Sequence, residues 1–237
     1  MTPFATLVMP FLDKNQETTA IALMGKKAKI LQPNGNSMKL SEWLSDDVFL
    51  TRSIDNYDNE LQAPTRLVAS LLFQKKMVRG LIGGWLANAL LGEKVVGKVL
   101  DLWILPNQVE RLSFSTNDSH VLSEIEIIEA CNQLSTFLAT AFIESGIPKS
   151  DAWGNVGLAV ADPWMAARKI VNDIDTLIAN YEAFTCQLIP ELQSTILALP
   201  IEKDGQKQVV FKRRKSCCHK YELPGKTNCA TCSKTSV

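Results

Sequence analysis

Four of the six cysteines in this chain lie close together near its C-terminal end, in the pattern C-C-x10-C-x2-C: Cys217, Cys218, Cys229 and Cys232. A C-x2-C pair is a common spacing at which a tight turn directs two thiolates to one metal. Pro224-Gly225 lies between the two pairs and is typical of a reversing turn, because glycine tolerates the positive φ that a type II turn requires. We therefore expect the four thiolates to converge on one centre.

The cysteine spacing leaves the bound group open. The side chains of two adjacent cysteines diverge along extended backbone, so both can reach a single small ion only where the backbone bends. A two-iron cluster takes two thiolates per iron and accommodates an adjacent pair more easily. A structural zinc site with four cysteine ligands is the main alternative, and a disulfide pair is a further one.

The composition is that of an ordinary globular protein. The chain has 237 residues, of which 46% are hydrophobic and 21% are charged, and this length can bury one substantial core. Its start shows no secretory signal pattern, and its longest apolar run, residues 80–92, is shorter than the roughly 18–20 residues of a membrane-spanning helix. We expect a cytoplasmic protein without a transmembrane segment, either free or peripheral to the inner membrane. In the reducing cytoplasm, clustered cysteines favour metal binding over disulfides.

Hydrophobic periodicity predicts an α+β fold that is predominantly helical with a small antiparallel sheet. Predicted helices begin at Ser41, at Pro64, after Asp118-Ser119 (with Val121 and Ile125 on the buried stripe), at Asp151, at Asp162-Pro163 (running to Tyr181) and at Pro190. A hairpin is predicted in residues 94–114 around Pro106-Asn107, and a strand in residues 206–211. Residues 20–31 fit either a strand pair or a short helix. We expect a mainly helical domain in residues 1–202 and a basic cysteine-bearing segment in residues 203–237.

The tail sequence KRRKSCCHKYELPGKTNCATC resembles the C-terminal signature of the FhuF-like siderophore-iron reductases. In that family an adjacent cysteine pair, a ten-residue gap with a tyrosine and a Leu-Pro-Gly turn, and a final C-x2-C bind a 2Fe-2S cluster. Tyr221 and Leu223-Pro224-Gly225 stand in the gap here. Ser70-Leu71-Leu72 and Trp153-Gly154-Asn155 are also similar to the family. Ser233 departs from it, since proline follows the last cysteine there, and Asn155-Val156-Gly157 matches only loosely.

The resemblance implies a ferric-siderophore reductase in which the four tail cysteines hold a 2Fe-2S cluster. It implies one-electron reduction of a hydroxamate-type ferric siderophore, with electrons from a ferredoxin, a flavodoxin or a small reductant. Hard oxygen ligands hold ferrous iron less tightly than ferric iron. Adding one electron to the ferric complex therefore weakens its hold on the metal. Such chemistry needs no catalytic residue beyond the cluster, and the chain has no recognisable nucleophile triad, nucleotide-binding glycine loop or H-E-x-x-H motif.

The segment 203–237 carries nine Lys and Arg residues against two acidic residues. Within it, Arg213, Arg214, Lys215 and Lys220 are expected either to stabilise a reduced cluster and dock an acidic electron donor, or to form a solvated basic tail. Nucleic-acid binding is not expected, because the segment offers few aromatic side chains for stacking.

Some individual residues have two readings. His219 either donates a hydrogen bond to a cluster sulfur or is solvated. Trp153 either lines a siderophore cleft or belongs to the core. Cys131 and Cys186 lie on apolar helical segments and are expected to be buried.

Two other functions are compatible with the sequence. One is a zinc-stabilised binding module, in which the four-cysteine tail is purely structural. The other is a non-reductive siderophore-related protein, although no nucleotide-binding segment is visible.

Overall fold

A computed structural model describes residues 1–11, 33–105, 112–113 and 119–234. Its α-helices are α1 (Pro3–Val8), α2 (Leu40–Ser45), α3 (Asp47–Leu61), α4 (Arg66–Val78), α5 (Gly84–Leu90), α6 (Glu124–Glu144), α7 (Lys149–Ala167), α8 (Ile174–Thr185) and α9 (Pro190–Gln193). Short 3-10 helices occupy Met9–Phe11, Val99–Asp101 and Lys220–Glu222. The π-helical turn Arg79–Gly83 joins α4 to α5.

The strands are short and antiparallel: β1 (Met38–Lys39), β2 (Val95–Val96), β3 (Trp103–Ile104), β4 (Leu112–Ser113), β5 (Ser119–His120), β6 (Ile196–Lys203) and β7 (Gln206–Arg213). They form three small sheets, with the orders β1-β3-β4, β2-β5 and β6-β7. The prediction of a predominantly helical α+β fold is therefore confirmed.

The predicted hairpin in residues 94–114 is confirmed in part. Strand β3 pairs with β4, but it also pairs with β1, whereas β2 pairs with β5. The predicted turn at Pro106-Asn107 and the segment 20–31 lie outside the described residues. The strand predicted at 206–211 is β7, which pairs with β6 along its whole length. The predicted domain boundary between residues 202 and 203 falls inside β6.

Helix α7 lies at the centre of the fold and is buried along most of its length. The run α4, π turn and α5 packs against it on one side, and α6, α8 and the β6-β7 hairpin also contact it. The core contains the fully buried side chains of Trp43, Trp85 and Trp164. Because α7 contacts both α4 and β7, it can position side chains from both elements around the segment that follows β7.

The helix start predicted at Asp162-Pro163 is wrong. Helix α7 continues through Pro163 to Ala167, and the Asp162 carboxylate accepts two hydrogen bonds of 2.7 Å from Arg79. Pro163 cannot bond to the carbonyl of Ala159. That carbonyl faces Gly83, where a Cβ atom would lie 3.3 Å away. The Asp-Pro pair, which resembles a helix start in the sequence, therefore lies inside a helix, at a close helix crossing and a partly buried ion pair.

Two other helix boundaries differ from those predicted. Helix α6 begins at Glu124 behind a capping box formed by Ser123 and Glu126, and Val121 and Ile125 are exposed. The helix predicted to run to Tyr181 is divided, because α7 ends at Ala167 and Asp173 caps the separate helix α8. In the described ranges, no helix combines the length and apolar character needed to cross a membrane.

Candidate metal centre

The segment after β7 is fixed to the first turns of α7. The backbone N–H of Arg214 donates to Thr195, extending the β6-β7 pairing by one bond. The backbone N–H of Cys217 then donates to the Asp151 carboxylate over 2.9 Å. Asp151 was predicted to cap a helix, but Pro148 occupies the N-cap position of α7. The Asp151 side chain instead holds the first cysteine in place.

A bend and a turn return the chain to its first cysteine pair. His219 has a φ of 53°, in the left-handed region, directly after Cys217-Cys218. Gly225 has a φ of 68°, as predicted for the turn at Pro224-Gly225. Ser233, at the position where the family signature has proline, donates a hydrogen bond of 3.1 Å to the Ser216 carbonyl. The two ends of the cysteine-bearing loop therefore meet.

The loop brings one pair of the cysteines close together. The sulfurs of Cys218 and Cys229 lie 3.8 Å apart. Two sulfurs bound to one tetrahedral metal at about 2.3 Å each would be about 3.8 Å apart. Burial raises the pKa of Cys217, and the negative charges of Cys232 and Cys218 raise it further. Among the described residues, no three His, Cys, Asp or Glu side chains are close enough to ligate a single ion.

Apolar side chains of α4 cover the Cys218–Cys229 pair on one side. Cys218 packs in a small cluster with Val68, Leu72 and Leu223, and Cys229 contacts the edge of this cluster. Leu72 belongs to one of the upstream segments that are similar to the reductase family. The cluster excludes water from part of the site, so charges near the sulfurs interact more strongly than they would in solvent.

Two cations lie beside the buried sulfurs. Lys75 Nζ, on α4, is 3.4 Å from Cys218 Sγ. Arg213, the last residue of β7, is only 2% exposed. Its guanidinium donates to Asn155 Oδ1 over 2.6 Å and to Ser216 Oγ over 3.4 Å, and both of these acceptors are neutral. Arg213 Nε has no hydrogen-bond partner in the part of the chain that the structure describes.

Arg213 is a buried cation that interacts electrostatically with the cysteine sulfurs. Burial lowers the pKa of Arg213, and the charges of Cys218, Cys229, Cys217 and Asp151 oppose that effect. A buried guanidinium is costly unless an anionic group compensates its charge. An anionic sulfur centre supplies that compensation, so the residues present fit a thiolate-bound metal cluster.

A buried polar network holds Arg213 in this position. Asn155 on α7 accepts from Arg213 and donates to the Leu71 carbonyl over 3.0 Å and to Gln74 Oε1 over 2.8 Å. Gln74 in turn donates to the Ala152 carbonyl over 3.3 Å. The network links α4, α7 and β7. It also joins the segments Ser70-Leu71-Leu72 and Trp153-Gly154-Asn155, which both resemble the reductase family in sequence.

A hydrogen bond couples the Cys218 and Cys229 thiols, and either sulfur can be its donor. The hydrogen bond from Cys218 lowers the pKa of Cys229. The same bond, together with burial, raises the pKa of Cys218. Lys75 and Arg213 favour the thiolate form of both residues. We therefore expect a Cys229 thiolate and a Cys218 thiol at neutral pH in the metal-free protein, so that metal binding releases a proton.

In metal-free protein, Cys229 is expected to react with iodoacetamide much faster than Cys131. Only the thiolate is nucleophilic. The lowered pKa of Cys229 keeps it ionised at neutral pH, whereas burial raises the pKa of Cys131 to about 12. Mass spectrometry of peptides after timed alkylation measures both rates. The Cys229 rate should persist as the pH falls from 8 to about 6, and a steep decline over that range would contradict the assignment.

The other predicted site residues take different positions. The His219 ring lies 2.6 Å from Glu222 Oε1, and it is the backbone N–H of His219 that approaches Cys217 Sγ, at 3.4 Å. Arg214 and Lys215 are exposed and Lys220 is half-buried. Arg213 is too deeply buried to contact a docked protein, so only its predicted role near the sulfurs remains compatible with the structure.

Trp153 lies at the junction between the core and a cleft. Its side chain is 8% exposed and lines a cleft of about 570 Å³ together with Arg214, Lys215 and Ser216. Ser216 directly precedes Cys217, so this cleft adjoins the cysteine site. Trp153 therefore belongs to the core and also forms part of a cleft wall.

The two remaining cysteines lie apart from the centre. Cys131 is fully buried in the core, as predicted. The prediction for Cys186 is wrong, because this residue caps the C-terminal end of α8 and is exposed. Sequence analysis also missed Lys75 and Asp151 as neighbours of the cysteines. The apolar periodicity of α4 places Lys75 near the Leu72 face, but no local pattern shows that the tail packs there.

Comparisons of the chain with protein-family models, with curated proteins and with solved structures find no match.

Proposed function

We propose that this chain is a ferric-siderophore reductase whose four tail cysteines hold a 2Fe-2S cluster. The carrying observation is the placement of the buried Arg213 and of Lys75 beside paired cysteine sulfurs. The 3.8 Å separation of Cys218 and Cys229 matches two ligands of one tetrahedral metal. The resemblance of the cysteine spacing to the reductase signature favours a 2Fe-2S cluster over a single zinc ion.

The protein's own residues prepare the site for anionic sulfur. A two-iron cluster would supply one-electron chemistry. Lys75 and Arg213 stabilise negative charge on the sulfurs, and Val68, Leu72 and Leu223 exclude water on one side. The Asp151 carboxylate accepts a hydrogen bond from the backbone N–H of Cys217 and so holds the first cysteine in place.

The proposed reaction adds one electron to a substrate bound near this centre. The ferric ion of the siderophore gains one electron from a reduced donor, becomes ferrous, and is then held less tightly by hard oxygen ligands. A ferredoxin, a flavodoxin or a small reductant would supply the electron, and the exposed Lys226 and half-buried Lys220 fit an acidic donor protein. A cytoplasmic location belongs to this proposal, because such donors act there.

Metal analysis of protein purified without oxygen tests the proposal. We expect about two irons and two acid-labile sulfides per chain, and visible absorption that dithionite bleaches and a ferric hydroxamate restores. A ferrous chelator should report product during this reoxidation. Zinc alone, or iron that does not return an electron to the ferric complex, would contradict it.

Serine replacement of Cys217, Cys218, Cys229 or Cys232 is expected to abolish or severely reduce iron content. The matched controls are Cys186→Ser at an exposed cysteine and Cys131→Ala in the core, both remote from the centre. These controls should retain iron, after correction for the folded fraction measured by circular dichroism. Iron loss in Cys186→Ser, or full iron in a tail variant, would overturn the ligand assignment.

A further inference from the structure

The cleft beside Cys217 has the dimensions and lining of a small-molecule site. Its volume of about 570 Å³ falls within the usual range for ligand pockets. Trp153, Thr195 and Ser216 contribute an aromatic face and two hydroxyl groups. The cleft lies between the start of α7, the start of β6 and the segment that follows β7.

The charge around the cleft is predominantly positive. Lys149, Arg214 and Lys215 line it and are all exposed, whereas Glu191 is the acidic residue in the lining. Across the residues that the structure describes, Lys149, Arg214 and Lys215 have no ion-pair partner. Three uncompensated cations around one concave surface attract an anion and repel a cation.

We propose that this cleft binds ferric chelates of net negative charge, such as tris-catecholate or carboxylate complexes, in preference to neutral tris-hydroxamate complexes. This inference rests on the proposed function and specifies its substrate class. The exposed part of Trp153 offers an apolar contact to the flat rings of a catecholate, and the three cations suit its charge. Because Ser216 lines the cleft and precedes Cys217 in the chain, a ligand at that end of the cleft lies next to the backbone of the first cysteine.

Binding is measured separately from reduction by using gallium(III) complexes. Gallium(III) has the charge of ferric iron but is not reduced under these conditions, so calorimetric titration reports binding alone. We expect the gallium tris-catecholate complex, of charge −3, to bind the purified full chain roughly tenfold or more tightly than a neutral gallium tris-hydroxamate of similar size. This preference should weaken as salt is raised from about 0.05 to 0.5 M.

Charge variants test whether the cleft is responsible. The double variant Arg214→Gln/Lys215→Gln is expected to lose most of the preference, and Glu191→Gln to increase it. Lys94→Gln removes an exposed charge elsewhere and should leave it unchanged. Equal affinity for the two complexes, or a preference that the double variant retains, would overturn the proposal. Reduction of ferric complexes without regard to their charge would leave the reductase intact and reject this cleft as its anion site.

Discussion

Replacing Gly154 by alanine is expected to displace the cysteine-bearing segment and remove most of the bound iron. A Cβ atom at position 154 would overlap both Oγ and Cβ of Ser216. Rotating the Ser216 side chain cannot relieve the overlap, because the Cβ position is fixed by the backbone. The backbone of Ser216 must therefore move, and Cys217 follows it directly. Overpacking of this kind usually costs about 1–3 kcal/mol, and occasionally more.

The compensating variant distinguishes local overlap from general destabilisation. Ser216→Gly removes both overlapping atoms, so Gly154→Ala/Ser216→Gly should recover most of the iron content and thermal stability. Ser216→Gly alone loses only the long hydrogen bond from Arg213 and should retain iron. Iron content and midpoint temperature are measured for all three variants. A Gly154→Ala protein identical to wild type, or a double variant no better than Gly154→Ala, would show that the tail does not pack against α7 at this glycine.

The elements that sequence analysis predicted best are those with local signals. Alternating residues identified β7, and Pro190 identified the start of α9, because strand and helix periods act within a few residues. The Asp162-Pro163 start signal failed because a distant partner, Arg79, takes the Asp162 carboxylate. Val121 and Ile125 were assigned to the core by helical spacing, but the Ser123 capping box begins α6 after the first of them. Boundaries set by tertiary contacts cannot be read from local pattern.

In the candidate site, too, features with a local sequence signal could be predicted and features set by distant contacts could not. Spacing and the Pro224-Gly225 turn predicted that the four thiolates converge on one centre, since a loop of this length can close on itself with few conformational choices. The structure brings Cys218 and Cys229 together, but among the described residues no three metal-ligating side chains form one group. Lys75 could not be predicted as their neighbour, because the cysteines follow it by more than 140 residues. The only sequence signal in Trp153-Gly154-Asn155 is its resemblance to the reductase family. The structure gives the three residues physical roles: a cleft wall, room for Ser216 and an acceptor for Arg213.

Replacing Arg213 by methionine is expected to weaken cluster retention while leaving the stability of the metal-free protein nearly unchanged. Without the guanidinium, anionic sulfur loses its most deeply buried cation, so iron should be lost roughly ten times faster and the reduction potential should fall. In metal-free protein two effects oppose each other. Leaving Asn155 Oδ1 without its donor costs about 1–3 kcal/mol, and removing a buried charge that lacks a carboxylate in hydrogen-bond contact offsets that cost.

Arg213→Lys and Lys203→Met separate charge from packing in this experiment. Arg213→Lys keeps the positive charge but not the planar fork, so its reduction potential should stay close to that of wild type even if iron is lost somewhat faster. Lys203→Met removes an exposed charge at the far end of the β6-β7 hairpin and should change neither quantity. Iron-release kinetics with a chelator, and dye-mediated redox titration, measure the two quantities. If Arg213→Met kept the wild-type potential, Arg213 would serve only to position the tail, and a buried cation would no longer support an anionic cluster at this site.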